Sequence, residues 1–141
     1  MEKYKKLDLT LIILSVCGVL FAGYRTFKKS YDNVCVFNES CPTFLGRPTC
    51  VYGLGIYLAL LILSILVFTL KDDLRKKLYT KLVLSVSVIG IVFSGYFTIK
   101  ELITCPGGNC NYTLLLPTCA YGLVMYISIA IISLYLVLKR K

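Results

Sequence analysis

The sequence predicts an all-α fold: an integral membrane four-helix bundle built from two tandem two-helix repeats. Three observations predict it. Of 141 residues, 57% are hydrophobic and only 16% are charged, with a mean hydropathy of +0.78; a soluble domain carries about 25% charged residues. Four uncharged runs approach or exceed the roughly 20 residues that cross a bilayer core. The second half of the chain also repeats the first. The chain reads as a single membrane domain over 1–141, with repeat 1 at about 7–70 and repeat 2 at about 79–138.

The elements follow in order. Residues 9–24 are uncharged and end at Arg25. Residues 48–70 are uncharged throughout, as are 82–99. Residues 102–138 carry no charge either, but the run is too long for one span. Pro106, Gly107, Gly108, Asn109 and Asn111 break its first part into a loop, which leaves a fourth span at about 118–138. Helices are required because backbone in lipid must satisfy its own hydrogen bonds.

Eleven of the sixteen basic residues fall on one side of this arrangement. They are Lys3, Lys5 and Lys6, then Lys71, Arg75, Lys76, Lys77 and Lys81, then Lys139, Arg140 and Lys141. That side is expected to be cytoplasmic, with both termini on it. Two Cys-rich loops, about 28–49 and 100–117, are then extracytoplasmic. The net charge of +9 is accounted for by topology, so no nucleic-acid partner is expected; the expected partner is the lipid bilayer.

The repeat rests on two matched pairs of segments. Residues 18–28 (GVLFAGYRTFK) align with 90–100 (GIVFSGYFTIK), and 48–54 (PTCVYGL) align with 117–123 (PTCAYGL). Tyr57 then matches Tyr126, and Ser64 matches Ser133. Ser15, Gly18 and Ala22 form a small-residue stripe that Ser87, Gly90 and Ser94 repeat. Such stripes let helices approach closely in lipid.

The chemistry left to this chain is that of cysteine. It has no His, which removes Ser–His and Cys–His catalysis and the usual catalytic zinc sites; no metal site is expected. Cys17 lies mid-span and reads as a small packing residue. The other six, Cys35, Cys41, Cys50, Cys105, Cys110 and Cys119, fall in the two loops or at the loop ends of spans and are the candidate catalytic residues. Symmetry favours the pairs Cys35–Cys41, Cys105–Cys110 and Cys50–Cys119; Cys41–Cys50 with Cys110–Cys119 is the alternative. Cys50 and Cys119 each follow Pro-Thr, with Thr49 and Thr118 as helix N-caps. The positive end of a helix dipole stabilises a thiolate, the attacking species in thiol–disulfide exchange. Gly53 and Gly122 bare the helix surface three residues on, and Tyr52 and Tyr121 add aromatic area. These four are the candidate cofactor-binding residues, in a corner suited to a flat quinone ring.

The helix plan and loop cysteines resemble the vitamin K epoxide reductase family. Its bacterial members carry a Cys-x5-Cys pair, as at Cys35 and Cys41. They follow it with a Gly-x-Pro turn, as at Gly46 and Pro48, and a helix bearing Tyr and Gly-Leu, as at Tyr52, Gly53, Leu54 and Tyr57. The family's CxxC at the start of the fourth helix is matched only by Cys119, with Leu116 in place of the first cysteine. The resemblance implies a thiol–disulfide oxidoreductase that relays electrons between outer-side cysteines and a quinone. It also implies a thioredoxin-like thiol protein as partner and a role in disulfide formation in exported proteins. Two alternatives need no redox chemistry: a disulfide-stapled, non-catalytic scaffold or interaction protein, and a small-solute transporter. Against ion transport, the spans hold no ionisable residue except Arg25 at an end.

Overall fold

The computed structural model describes residues 2–32, 43–45, 47–104 and 118–140, with backbone alone at 28–32, 43, 44, 47, 48, 50, 101, 104 and 118. Four helices make up nearly all of it: α1 (Glu2–Asp32), α2 (Thr49–Thr69), α3 (Asp73–Thr104) and α4 (Thr118–Lys139). All four are long and apolar enough to cross a membrane, which makes this a multi-pass membrane protein. α2 and α4 have 21 and 22 residues; at about 1.5 Å per residue they match a hydrocarbon core about 30 Å thick.

α1 and α3, at 31 and 32 residues, are longer than the uncharged runs at 9–24 and 82–99. Hydropathy marks where the chain lies in lipid, whereas helical hydrogen bonding continues into water until something stops it. The two long loops are accordingly shorter than expected, because α1 runs on to Asp32 and α3 to Thr104. Just before α2, Thr43–Phe44 (β1) pairs antiparallel with Arg47–Pro48 (β2) in a minimal hairpin. Leu45 at its turn has φ 51°, a left-handed conformation that costs a non-glycine residue about 1 kcal/mol.

α1 packs on α2 and α4, and α3 packs on the same two, so α2 and α4 face each other across the bundle. The closest pairs are α1 with α2 and α3 with α4. The outside is apolar: Leu20, Ile62, Val92 and Ile131 are all well exposed. The inside carries hydroxyls, with Ser15, Ser64, Ser87 and Ser133 fully buried. The serines lie among buried Leu11, Leu60 and Ile129, an arrangement that suits helices associating in lipid, where small polar residues permit close approach. Ser15, Ser64 and Ser87 are satisfied by carbonyls one turn back, those of Leu11, Leu60 and Leu84.

Two expectations need correction. Cys17 is exposed on the outer surface of α1, not packed in the bundle: its neighbour Gly18 takes the inward position on that turn. Arg25 is not the only ionisable residue within the spans. Asp8 is 2% exposed, and its Oδ2 receives Arg140 Nη2 at 2.7 Å. The pair joins α1 to the end of α4, while Arg140 Nη1 donates to Thr80 Oγ1 of α3 at 3.3 Å. This is a clasp across three helices.

Candidate functional site

The bundle has two distinct ends. One carries the α1–α2 and α3–α4 connections and is called here the loop end; the other carries the termini and the α2–α3 turn. A pocket opens at the loop end, between the first turns of α2 and α4 and the last part of the membrane stretch of α1 and α3.

The helix ends place its polar groups. α2 opens at Thr49 and contributes Thr49, Gly53 and Tyr57; α4 opens at Thr118 and contributes Cys119, Gly122 and Tyr126. Phe21, Ala22 and Arg25 enter from α1, and Phe93, Ser94 and Phe97 from α3. Arg25 is buried, at 6% exposed, with its guanidinium carbon 6.0 Å from the centroid of the Phe21 ring. A guanidinium so close to an aromatic face gains from the ring quadrupole. The pocket wall is tied together by Ser94, whose hydroxyl donates to the Cys119 carbonyl at 2.7 Å, and by Thr98, whose hydroxyl donates to the Ser94 carbonyl at 2.8 Å. The first bond fixes the opening turn of α4 against α3 and so holds Cys119 at the pocket.

Toward the bundle centre the pocket is closed by two tyrosines. Tyr57 and Tyr126 stack with centroids 4.4 Å apart and planes 9° from parallel. Tyr57 Oη donates to the Gly122 carbonyl at 3.0 Å, and Tyr126 Oη donates to the Gly53 carbonyl at 3.3 Å. Each ring also rests over a glycine of a neighbouring helix. A Cβ on Gly18 would overlap the Tyr57 ring, and one on Gly90 would come within 2.6 Å of the Tyr126 ring. The small-residue stripes therefore make room for two aromatic rings as well as bringing backbones together.

The sequence-predicted site residues divide three ways. Cys119, Gly53 and Gly122 line the pocket, with Cys119 half-buried. Tyr52 and Tyr121 stand behind the lining, packed on Phe93 at 6.1 Å and on Phe21 at 6.5 Å between ring centroids. Cys35, Cys41, Cys105 and Cys110 lie outside the described residues, and Cys50 is described by its backbone alone, in the first turn of α2. The disulfide pairings expected from symmetry thus rest on side chains outside the description. Sequence reasoning missed Arg25, Phe21, Phe93 and Phe97 as pocket residues. Arg25 had a signal, as a charge at the end of an apolar run; the phenylalanines had none beyond their place in the matched segments.

The lining suits a quinone in kind, with aromatic rings, one cation and one thiol. The pocket is open on one side, and its free volume is about 70 Å³, less than the roughly 150 Å³ of an enclosed cavity that holds a benzene ring, so a bound ring would extend into the opening. No protein-family model matches this chain, and no curated protein or solved structure is significantly similar to it.

Proposed function

We propose that this protein is a membrane thiol–disulfide oxidoreductase whose pocket-side thiol is Cys119. One observation carries the reading: Cys119 lines a pocket walled by Phe21, Phe93 and Phe97 that also contains the buried cation Arg25. A buried cation in the same pocket favours a thiolate, the form that attacks a disulfide, against the apolar rings that disfavour it.

The loop end faces outside, because the basic residues concentrate at the other end; that side permits disulfides. The two halves are tandem two-helix repeats. Supporting this, Tyr57 and Tyr126, which occupy like places in the matched segments, meet face to face and donate reciprocally. Cys119 forms a disulfide with one of Cys50, Cys105 or Cys110, and the loop cysteines Cys35 and Cys41 exchange with a thioredoxin-like thiol protein. Closing a disulfide from two thiols releases two electrons and two protons, which a quinone takes up on becoming a hydroquinone. That quinone binds at the open side of the pocket, beside Gly53 and Gly122. Within the chain, Ser94 holds the first turn of α4, the three phenylalanines form the apolar wall of the pocket, and Arg25 supplies the positive charge.

The test is a gel shift with a large maleimide on native membranes, before and after mild reduction, and again after adding an oxidised quinone. The reading expects one cysteine pair to open under mild reductant and to reclose with quinone, and Cys119→Ser to abolish reclosure. If the loop-end cysteines react only after denaturation and strong reduction, the disulfides are inert staples and the proposal fails.

A further inference from the structure

A second cavity lies at the opposite end of the bundle, where the start of α1, the α2–α3 turn and the end of α4 meet. It measures about 450 Å³, within the usual range of a ligand site, roughly 300–1,000 Å³. Lys5, Lys76, Lys77, Lys139 and Arg140 line it, against the carboxylates of Asp8 and Asp73. Asp8 is already committed to Arg140 at 2.7 Å. The remaining charged lining is four lysines and Asp73, a strongly cationic bowl.

Its back wall is fixed. Arg140 is held by Asp8 and by the Thr80 hydroxyl, and its guanidinium lies 5.9 Å from the centroid of the Tyr4 ring. Basic residues are ordinary at one face of a membrane protein. That bias does not by itself build a walled cavity of this size around a pinned arginine. Nor does it place an apolar side chain among the lysines: Leu74, 84% exposed, stands in the same lining. A free anion has no use for an exposed leucine. A lipid does, because its phosphate and its hydrocarbon sit side by side.

We infer that this cup binds the phosphate-bearing headgroup of an anionic phospholipid, with the lysines around the phosphate and Leu74 against the glycerol and upper acyl chain. The inference does not depend on the redox reading.

The test uses the full chain in neutral detergent, with phosphatidylglycerol or phosphatidylcholine added and retained lipid counted by native mass spectrometry. Wild-type protein retains phosphatidylglycerol in preference to phosphatidylcholine. Lys76→Gln/Lys77→Gln/Lys139→Gln weakens that retention by roughly tenfold or more, since each lysine near a membrane surface contributes severalfold to anionic-lipid affinity. A charge-matched variant outside the cup, Lys3→Gln/Lys6→Gln/Lys81→Gln, retains the lipid as wild type does. Equal loss in both variants would show diffuse surface attraction and overturn the site. Inorganic phosphate is the third arm. If phosphate alone raises the unfolding temperature as much as phosphatidylglycerol does, and displaces it, the cup takes free phosphate and the lipid assignment falls. Should the cup variant fail to fold, Lys5→Gln/Lys139→Gln, at two exposed positions, is read by the same criteria.

Discussion

Tyr57 lies flat against Tyr126, ring centroids 4.4 Å apart, and each hydroxyl donates to the first-turn carbonyl of the helix that carries the other ring. α2 and α4 face each other across the bundle, so this pair joins two helices that are not adjacent in it. It also closes the loop-end pocket from the bundle centre. Removing one hydroxyl leaves the stack intact and deletes one buried donor. Tyr57→Phe and Tyr126→Phe are each expected to cost about 1 kcal/mol, read from reversible unfolding in detergent. The double variant is expected to depart from additivity, because the hydroxyls belong to one network. Strict additivity would mean that the two bonds act independently.

The glycines beneath these rings make a sharper contrast. Gly18 and Gly90 are covered by tyrosine rings, whereas Gly53 and Gly55 have nothing within 4 Å of the place a Cβ would take. Gly18→Ala and Gly90→Ala are expected to destabilise by about 1–3 kcal/mol through overpacking. Gly53→Ala and Gly55→Ala are expected to be neutral or slightly stabilising, since alanine favours helix. Equal effects at all four positions would contradict the arrangement of the rings.

The sequence reveals the helices because lipid penalises charge in the spans, and that penalty is written directly into the uncharged runs. It does not reveal where α1 and α3 stop, since Asp32 and Thr104 lie beyond the uncharged runs, where hydropathy has no say. The alignment pairs Tyr57 with Tyr126 as like positions, yet an alignment does not state that like positions meet. Cys17 shows the opposite limit. A small apolar residue mid-span is equally at home facing lipid or facing a helix, and only the neighbouring Gly18, under the Tyr57 ring, settles that Cys17 faces out. Of the candidate site, Cys119, Gly53 and Gly122 are legible from the Pro-Thr-Cys context and the bare glycines. Arg25 is visible only as an end-of-span charge, because its burial depends on α3 and α4 arriving from distant sequence.

The Asp8–Arg140 clasp is expected to hold the terminal end shut. Asp8 is 2% and Arg140 13% exposed in their side chains, so breaking the pair leaves a charge with little water. Asp8→Asn is expected to cost about 3–5 kcal/mol, and Asp8→Asn/Arg140→Gln to recover part of that loss. Thr80→Val removes only the 3.3 Å bond and is expected to cost about 1 kcal/mol. A double variant no more stable than Asp8→Asn would show that the two residues act separately.

The charge of Arg25 can be tested through the reactivity of Cys119 without assuming any electron acceptor. Both residues line the same pocket, and Arg25 is buried there, so water screens it weakly. A fixed cation draws an anionic reagent toward the sulfur and leaves a neutral reagent of similar size unaffected. In reduced protein carrying Cys17→Ser, labelling at Cys119 is followed by peptide mass spectrometry with one anionic and one neutral thiol reagent. Arg25→Gln is expected to lower the anionic-to-neutral rate ratio by roughly three- to tenfold, the range that an attraction of about 1 kcal/mol provides. Arg25→Lys, which keeps the charge, is expected to hold the ratio close to wild type. If both rates fall together in Arg25→Gln, the residue only shapes the pocket. An unchanged ratio would mean that its charge does not reach the sulfur, and the setting proposed for the Cys119 thiolate would lose its cation.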